Sequence, residues 1–560
     1  MHILQACKKY LYSYMTALVS YCCVAVLIKL LSILSPYLTG NFINGLIASE
    51  SMTFVYQYCL LIAGLCIINI LLGYLSNRLY IYLQMSMGAA YNLDVIGHIQ
   101  CVSMSSLIGK DLVKLNQQIN GDTNALVIFC LNLANSFLVN LITLPTIFAI
   151  CFRMNALISG LFSLYCVFYV VIYVLARHKK FKTTYQYMET QNRFFSALFE
   201  QLQYIGFIRT QGVADYFRSR TKEPYQALYK ATVASQKYSY FLGSIDSLLS
   251  LLSQITLYIA GASQILKGSF SVGGFIMFSA YFSVVLSSIR FFYGFGTTYQ
   301  EAMVSYHRLQ DLENIAEEPN GDIKIGHINR IQINGLNFSY GDIPVIKNLY
   351  GLFQEGEIYA VVGHNGCGKS TLSRILLGLY SEEVKEGSIT VNNIPIQDID
   401  KLTMRRDEIA YADQDSILFS ASIKENIMMG DSSEERWNKA QQLAELLHIG
   451  SIVSSQENST SISGEKLSGG EKQKISVIRA LSKNSDFILL DEPTSSMDLE
   501  SRNALMTYLH QIKSNKIILI ITHDESIEKM CDRKIDLNFQ DCTFSERLDE
   551  QSRNRMNRNL

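Results

Sequence analysis

A chain of 560 residues is too long for one hydrophobic core, so two or more domains are expected. A formal charge of −1 excludes the basic surplus of a nucleic-acid binder. Only 17 % charged residues and a mean hydropathy of +0.15 exclude a wholly soluble chain. The apolar excess lies before about Gln300.

Residues 1 to about 14 carry Lys8, Lys9 and several tyrosines, which suits an interfacial helix at a bilayer surface. Apolar runs of spanning length follow at about Tyr14 to Leu38, Phe54 to Leu75, Leu126 to Phe152, Ala156 to Leu175, Phe241 to Leu266 and Val272 to Phe295. The first run lacks a small-residue cleavage site, so no cleavable signal peptide is expected. The twelve cysteines show no metal-ligand spacing, and those in apolar runs read as small buried hydrophobes.

The long segments after the second and fourth spans hold Arg78, Lys110, Lys114, Arg177, Lys179, Lys180, Lys182 and Arg193. The short connections after the first, third and fifth hold only Arg153 and Lys267. The positive-inside rule then puts both termini, the long segments and everything after the sixth span in the cytoplasm of a multi-pass cell-membrane protein. The long segments keep helical periodicity, with Phe194, Phe195, Leu198, Phe199 and Leu202 on one face, so they read as cytoplasmic extensions of the spans.

Three intramembrane charges stand out, because ionisable groups there are costly. Asp246 and Arg290 fall at similar depth on the fifth and sixth spans, where they either pair or face a cavity. Lys29, midway along the first span, is the candidate for an anionic cargo group. Asn69, Asn132, Asn135 and Asn140 either line a polar route or bond between helices.

The character changes near Leu309. The expected division is a transmembrane domain over residues 1–308, a polar linker over 309–326, an α/β nucleotide domain over 327–543 and a disordered polar tail over 544–560. Within the α/β part, Gly363-His364-Asn365-Gly366-Cys367-Gly368-Lys369-Ser370-Thr371 fits the phosphate-binding loop G-x-x-x-x-G-K-[ST]. It follows the strand-like Ile358–Val362 and opens a helical pattern. Its glycines let successive N–H groups turn toward phosphate oxygens at a helix N-terminus. Lys369 is placed for the outer phosphates and Ser370 for Mg²⁺. Phe487–Asp491 is an apolar strand ending in a carboxylate suited to Mg²⁺, and Glu492 after it is placed to polarise a water. Leu467-Ser468-Gly469-Gly470-Glu471-Lys472-Gln473 supplies a second set of helix-N-terminal donors. One domain has no use for two such sets on one phosphate, whereas two facing domains do.

With these motifs the chain resembles an ATP-binding-cassette half-transporter of the exporter type over nearly its whole length. The resemblance implies a six-helix all-α membrane domain fused to an α/β P-loop ATPase, using ATP and Mg²⁺. It implies that Tyr340 stacks on adenine, that Gln414 contacts Mg²⁺ and water, and that Ser468, Gly469, Gly470 and Glu471 close over ATP held by a partner domain. Asp498 matches the D-loop and His523 the switch histidine. Leu115–Asp122 and Tyr204–Gly212 resemble the regions around two coupling helices.

Two departures stand out. Glu471 replaces a common glutamine, and Gly464-Glu465 leaves a shortened spacer before the signature. No peptidase-like segment stands ahead of the first span, so a peptide cargo is expected to be matured elsewhere. The set Lys369, Gln414, Ser468, Asp491, Glu492 and His523 is complete in one chain, so a homodimer is expected ahead of a heterodimer. An amphipathic cargo, a peptide ahead of a lipid or drug, is the expected load. An importer or an ATP-gated channel on the same scaffold are the alternatives.

Overall fold

In a computed structural model of the chain, the described residues are 2–48, 51–110, 112–341, 343–380, 384, 386–455 and 467–538. The tail 544–560 and the spacer around Gly464-Glu465 lie outside them. The chain divides into two compact units. One takes Met1–Gln100 and Asp111–Asn314, the other Cys101–Lys110 and Ile315 onward.

Among the described residues, the first unit contains six helices long and apolar enough to cross a membrane: α1 (Met15–Ile47), α2 (Met52–Cys101), α3 (Leu115–Met154), α4 (Ala156–Gln203), α5 (Lys222–Leu266) and α6 (Val272–Glu313). α3 carries a π-helical turn at Leu133–Phe137. The sequence defines the starts of α4 and α6. Asn155 accepts from the Ile158 N–H at 3.1 Å, and Ser271 accepts from the Gly274 N–H at 3.0 Å. α1 and α6 approach so closely that a side chain at Gly273 would meet the Gly40 carbonyl at 2.0 Å, and the Gly273 N–H donates to Asn44 at 2.9 Å. Small residues at such crossings let backbones touch where lipid gives no hydrophobic drive between helices. Leu60, Ile70 and Leu71 on α2 stay exposed, as an apolar solvent around the helix requires.

The helices run well past their apolar stretches, as their periodicity predicts. α4 and α5 remain paired beyond the spanning part: the Tyr238 hydroxyl donates to the Ala176 carbonyl at 3.2 Å, and the Phe194 and Tyr225 rings lie 5.8 Å apart. The Phe194–Leu202 face is not a buried one, however. Phe195, Phe199 and Leu202 are exposed in the single chain. A short helix, Ile205–Thr210, follows α4.

In the second unit a five-stranded parallel sheet runs β6 (Ile409–Ala412), β7 (Phe487–Asp491), β8 (Ile517–Ile521), β3 (Ile358–Val362), β9 (Arg533–Asp536). Both faces are covered, which explains why these strands read as unbroken apolar runs. Ile358, Ala360, Ile488, Leu490, Ile518 and Ile520 enter one core, while Tyr359, Val361, Phe487, Leu489, Ile517 and Leu519 enter the other. A four-stranded antiparallel sheet, ordered β2 (Ile343–Gln354), β1 (Arg330–Tyr340), β4 (Glu386–Val391), β5 (Ile394–Pro395), packs into the second of these cores.

The stretch 309–326 is not a free connector. α6 runs to Glu313. Glu318 then pairs with Arg405 at 2.8 Å, its N–H donates to the Cys101 carbonyl at 2.7 Å, and Gly321 and Ile323 bond to the Asp398–Asp400 backbone. The same unit therefore holds the turn Met104–Leu107 between α2 and α3.

Candidate functional site

The strand order brings the motifs to one sheet edge. β8 lies between β3 and β7, so the loop after β3, the carboxylates ending β7 and the His523 turn after β8 emerge side by side at the carboxyl ends. Gly363, Gly366 and Gly368 take φ of +154°, +85° and +103°, conformations open to glycine, and α7 (Lys369–Leu376) starts directly after Gly368. The Lys369 ammonium folds back over this loop and donates to the Gly363 and His364 carbonyls at 2.8 and 3.2 Å. The His364 N–H is held at 2.8 Å by Asn538, a contact no sequence motif announces.

Glu492 sits at the centre of the edge. His523 Nδ1 lies 3.1 Å from Oε1, and Gln414 Nε2 donates to Oε2 at 3.3 Å. The residue holds φ +47°, a left-handed conformation uncommon for a side-chain-bearing residue. Its backbone is fixed on both sides. Its N–H donates to the Ile521 carbonyl at 2.9 Å, and Gln473 donates to its carbonyl at 2.7 Å. Gln473 also accepts from the Ser496 N–H at 2.8 Å. It thereby ties α8 (Gly469–Ser482) to the segment carrying the catalytic candidate. The sequence displays Gln473 inside the signature but says nothing of this role.

Whether Mg²⁺ suits the site can be judged from Asp491. Its carboxyl is buried and pushed up to about 6, first by desolvation and then by the charges of Asp413 and Glu492; Lys369 and the Ser370 hydroxyl oppose this. A carboxyl among surplus negative charge, with a hydroxyl beside it, is an oxygen set that a hard divalent cation satisfies. Ser370 and Asp491 would hold it, with Gln414 at the rim. Tyr340 is half-buried. Its hydroxyl lies 3.4 Å from that of Thr371, and its ring packs edge-on to Phe338 and Tyr380.

The signature turn is a capped helix start. Ser468 accepts from the Glu471 N–H at 3.3 Å, and Glu471 accepts from the Ser468 N–H at 2.7 Å. Glu471 in place of glutamine thus serves the cap. Gly469 has open space around it, whereas a side chain on Gly470 would meet the Ser496 carbonyl at 2.6 Å. Asp498 pairs with Lys474 at 2.6 Å and caps α9 (Leu499–Ile512) through the Ser501 N–H at 2.9 Å. These bonds hold its carboxyl below the usual carboxylate range. Within this chain Asp498 fixes the loop to the signature helix.

Cys367 is half-buried, and a side chain at Gly363 would press on its sulfur at 2.5 Å. A bulky maleimide on Cys367 is expected to force the loop open and to block ATP binding. ATP should protect, and Cys367→Ser should be insensitive to the reagent. Full binding by protein with confirmed modification at Cys367 would contradict the loop geometry.

In the membrane unit, Asp246 and Arg290 are brought together at 2.9 Å. Lys29 lines a separate cavity of about 360 Å³ with Ser76, Asn135, Ser136, Asn140 and Ser287. Among the described residues no carboxylate pairs with Lys29. Asn135 donates to the Tyr21 hydroxyl at 2.5 Å, and Asn140 accepts from Ser288 at 3.0 Å, so both bond between helices while lining this cavity. Asn69 is exposed and away from it.

Residues 346–495 match the ABC transporter family, and residues 18–289 match the ABC transporter transmembrane region. The chain is 27 % identical over 381 residues to the lactococcin-G-processing and transport ATP-binding protein LagD of Lactococcus lactis, covering 66 % of this chain and 54 % of that protein. It is 30 % identical over 308 residues to an ATP-dependent lipid A-core flippase of Syntrophus aciditrophicus, covering 53 % and 49 %. The chain thus spans about half the length of the curated relatives it matches. Its fold superposes on a bacterial Atm1-family ABC exporter solved with ATP bound, with a TM-score of 0.82 at 18 % identity, covering 97 % of this chain and 96 % of that one. Six spanning helices fused to one nucleotide domain, each half matched in its own right, identify the chain as a member of the ABC transporter family, built as a half-transporter on the exporter fold.

Proposed function

We propose that this chain is one half of an ATP-driven exporter that moves an amphipathic cargo, a peptide in the first instance, out of the cytoplasm. The observation that carries this reading is Glu492, bracketed by Gln414 and His523 beside Asp491 and the phosphate loop, in a chain with six spans. A carboxylate held within hydrogen-bond reach of two partners is pre-positioned as a general base for a water. Mg²⁺, when bound, supplies charge neutralisation for the phosphates. Lys369 orients the outer phosphate oxygens, and His523 holds Glu492 in place and meets the terminal phosphate.

The donors of Ser468–Gly470 face the nucleotide of a second copy, so two chains enclose two ATP. Uncovered Phe195, Phe199 and Leu202 on the α4 extension support a partner chain there. The enclosed state turns the cavity outward because ATP binds it better than the open one, and hydrolysis reverses the shift. Both termini and the ATPase unit lie in the cytoplasm by the charge distribution. Relatives named for lactococcin transport and for lipid A-core flipping support an amphipathic load. Purified protein in inside-out vesicles should accumulate cargo only with hydrolysable ATP. Efflux instead would make it an importer, and sustained ATP-dependent current a channel.

Asp246 and Arg290 answer each other, which leaves Lys29 as the charge available to cargo. Lys29→Ala is expected to lower cargo-stimulated hydrolysis several-fold with basal hydrolysis unchanged. Equal loss of both rates, or no loss, would remove Lys29 from the cargo path.

A further inference from the structure

A second cavity, of about 610 Å³, lies within the membrane unit between α3, α4, α5 and α6. Its walls are apolar, with Phe148, Val170, Ile245 and Leu249 among them. It follows α4 from Cys166 to Lys180, 180 − 166 = 14 helical steps, and so extends about 21 Å at the helical rise of about 1.5 Å per residue. Half of a bilayer's hydrocarbon core is about 15 Å thick. The slot is longer than that half-thickness, so one acyl chain of a single leaflet fits along it.

Its polar groups sort into two levels. Toward the end away from Lys180, Arg290 and Asp246 neutralise each other at 2.9 Å, and the Tyr169 hydroxyl donates to the Asp246 carbonyl at 3.1 Å. That level asks for no charged ligand. At the other end, the Lys180 ammonium donates only to the neutral Ser239 hydroxyl, and among the described residues no carboxylate pairs with it. A single uncompensated positive charge thus closes an apolar slot.

We propose that this cavity binds the acyl chain of an anionic lipid from the leaflet on the Lys180 side, with the headgroup on Lys180. That leaflet is the cytoplasmic one under the orientation proposed above. Moving a chain from bilayer to slot gains little hydrophobic free energy, since lipid tails are as apolar as the walls. Selection therefore rests on the headgroup. One lysine near a membrane surface is worth about fivefold in anionic-lipid preference.

Gly243 on α5 lines the slot, and a Cβ added there meets nothing within 4 Å. Gly243→Phe consequently fills the cavity from a helical position, and Gly243→Ala adds one methyl as a folding control. The probe is a diazirine-bearing palmitoyl phosphatidylglycerol, photolysed with the full chain in vesicles of phosphatidylcholine. No nucleotide is added, so the result does not depend on transport. Label is expected on the slot residues of α4 and α5 in wild type and Gly243→Ala, and at least fivefold less in Gly243→Phe. Lys180→Gln should lose about fivefold of the preference for unlabelled phosphatidylglycerol over phosphatidylcholine as competitor. Label spread instead over Leu60, Ile70 and Leu71, or unchanged by Gly243→Phe, overturns the site. Competition unchanged by Lys180→Gln overturns the headgroup assignment.

Discussion

Glu492→Gln is expected to lower steady-state ATP hydrolysis by more than about 100-fold, the range a positioned general base supplies, while ATP binding stays within about twofold of wild type. Glutamine preserves the volume. It also preserves the backbone bonds to Ile521 and Gln473, so the unusual φ of +47° is no more strained than before. What is lost is the proton acceptor between His523 and Gln414. The nucleotide should then hold the two chains closed, measurable as a stable dimer of ATPase units by cross-linking. Hydrolysis within a few-fold of wild type would place the base elsewhere and sink the assignment.

The second large effect separates two adjacent glycines. Gly469→Ala and Gly470→Ala should each cut hydrolysis by at least about tenfold, roughly the cost of displacing one or two phosphate donors. Their causes differ. Gly469 has open space in the single chain, so its variant should melt at the wild-type temperature and fail only where a partner's nucleotide must approach. A Cβ added at Gly470 would meet the Ser496 carbonyl at 2.6 Å, so its variant must push the D-loop aside. A destabilisation of about 1–3 kcal/mol, the usual cost of overpacking, should lower its melting temperature by several degrees. Normal hydrolysis in Gly469→Ala would show that Ser468–Gly470 closes over no phosphate. Equal melting of both variants would contradict the D-loop contact.

Much of this protein is legible in the chain because its signals are local. Backbone amides without water force each span to read as some twenty apolar residues, and two-sided burial forces β3, β7 and β8 to read as apolar runs. Glycines at φ +85° and +103° must be written as glycine, so the phosphate loop is a string rather than a shape. The start of α8 is equally local, since Ser468 and Glu471 cap it three residues apart.

The long-range partners had to come from the tertiary structure. Asn538 on the His364 amide, Gln473 behind Glu492 and Lys474 on Asp498 are ordinary polar residues in sequence, and only packing gives them a role. The same holds for Asp246 and Arg290. Sequence put them at equal depth, but whether they met or faced a cavity depended on the rotation of two helices about their axes, which no periodicity fixes when polar groups are so few. Sequence by itself determined the class of fold, the nucleotide motifs and the number of spans, because each rests on contacts within a few residues. Which distant side chains hold Glu492, which intramembrane charge is left unpaired, and that the stretch from Glu318 to Ile323 is bonded to the Asp398–Asp400 segment rather than free were decided by tertiary structure. Each of these depends on two surfaces that meet only after the chain has folded.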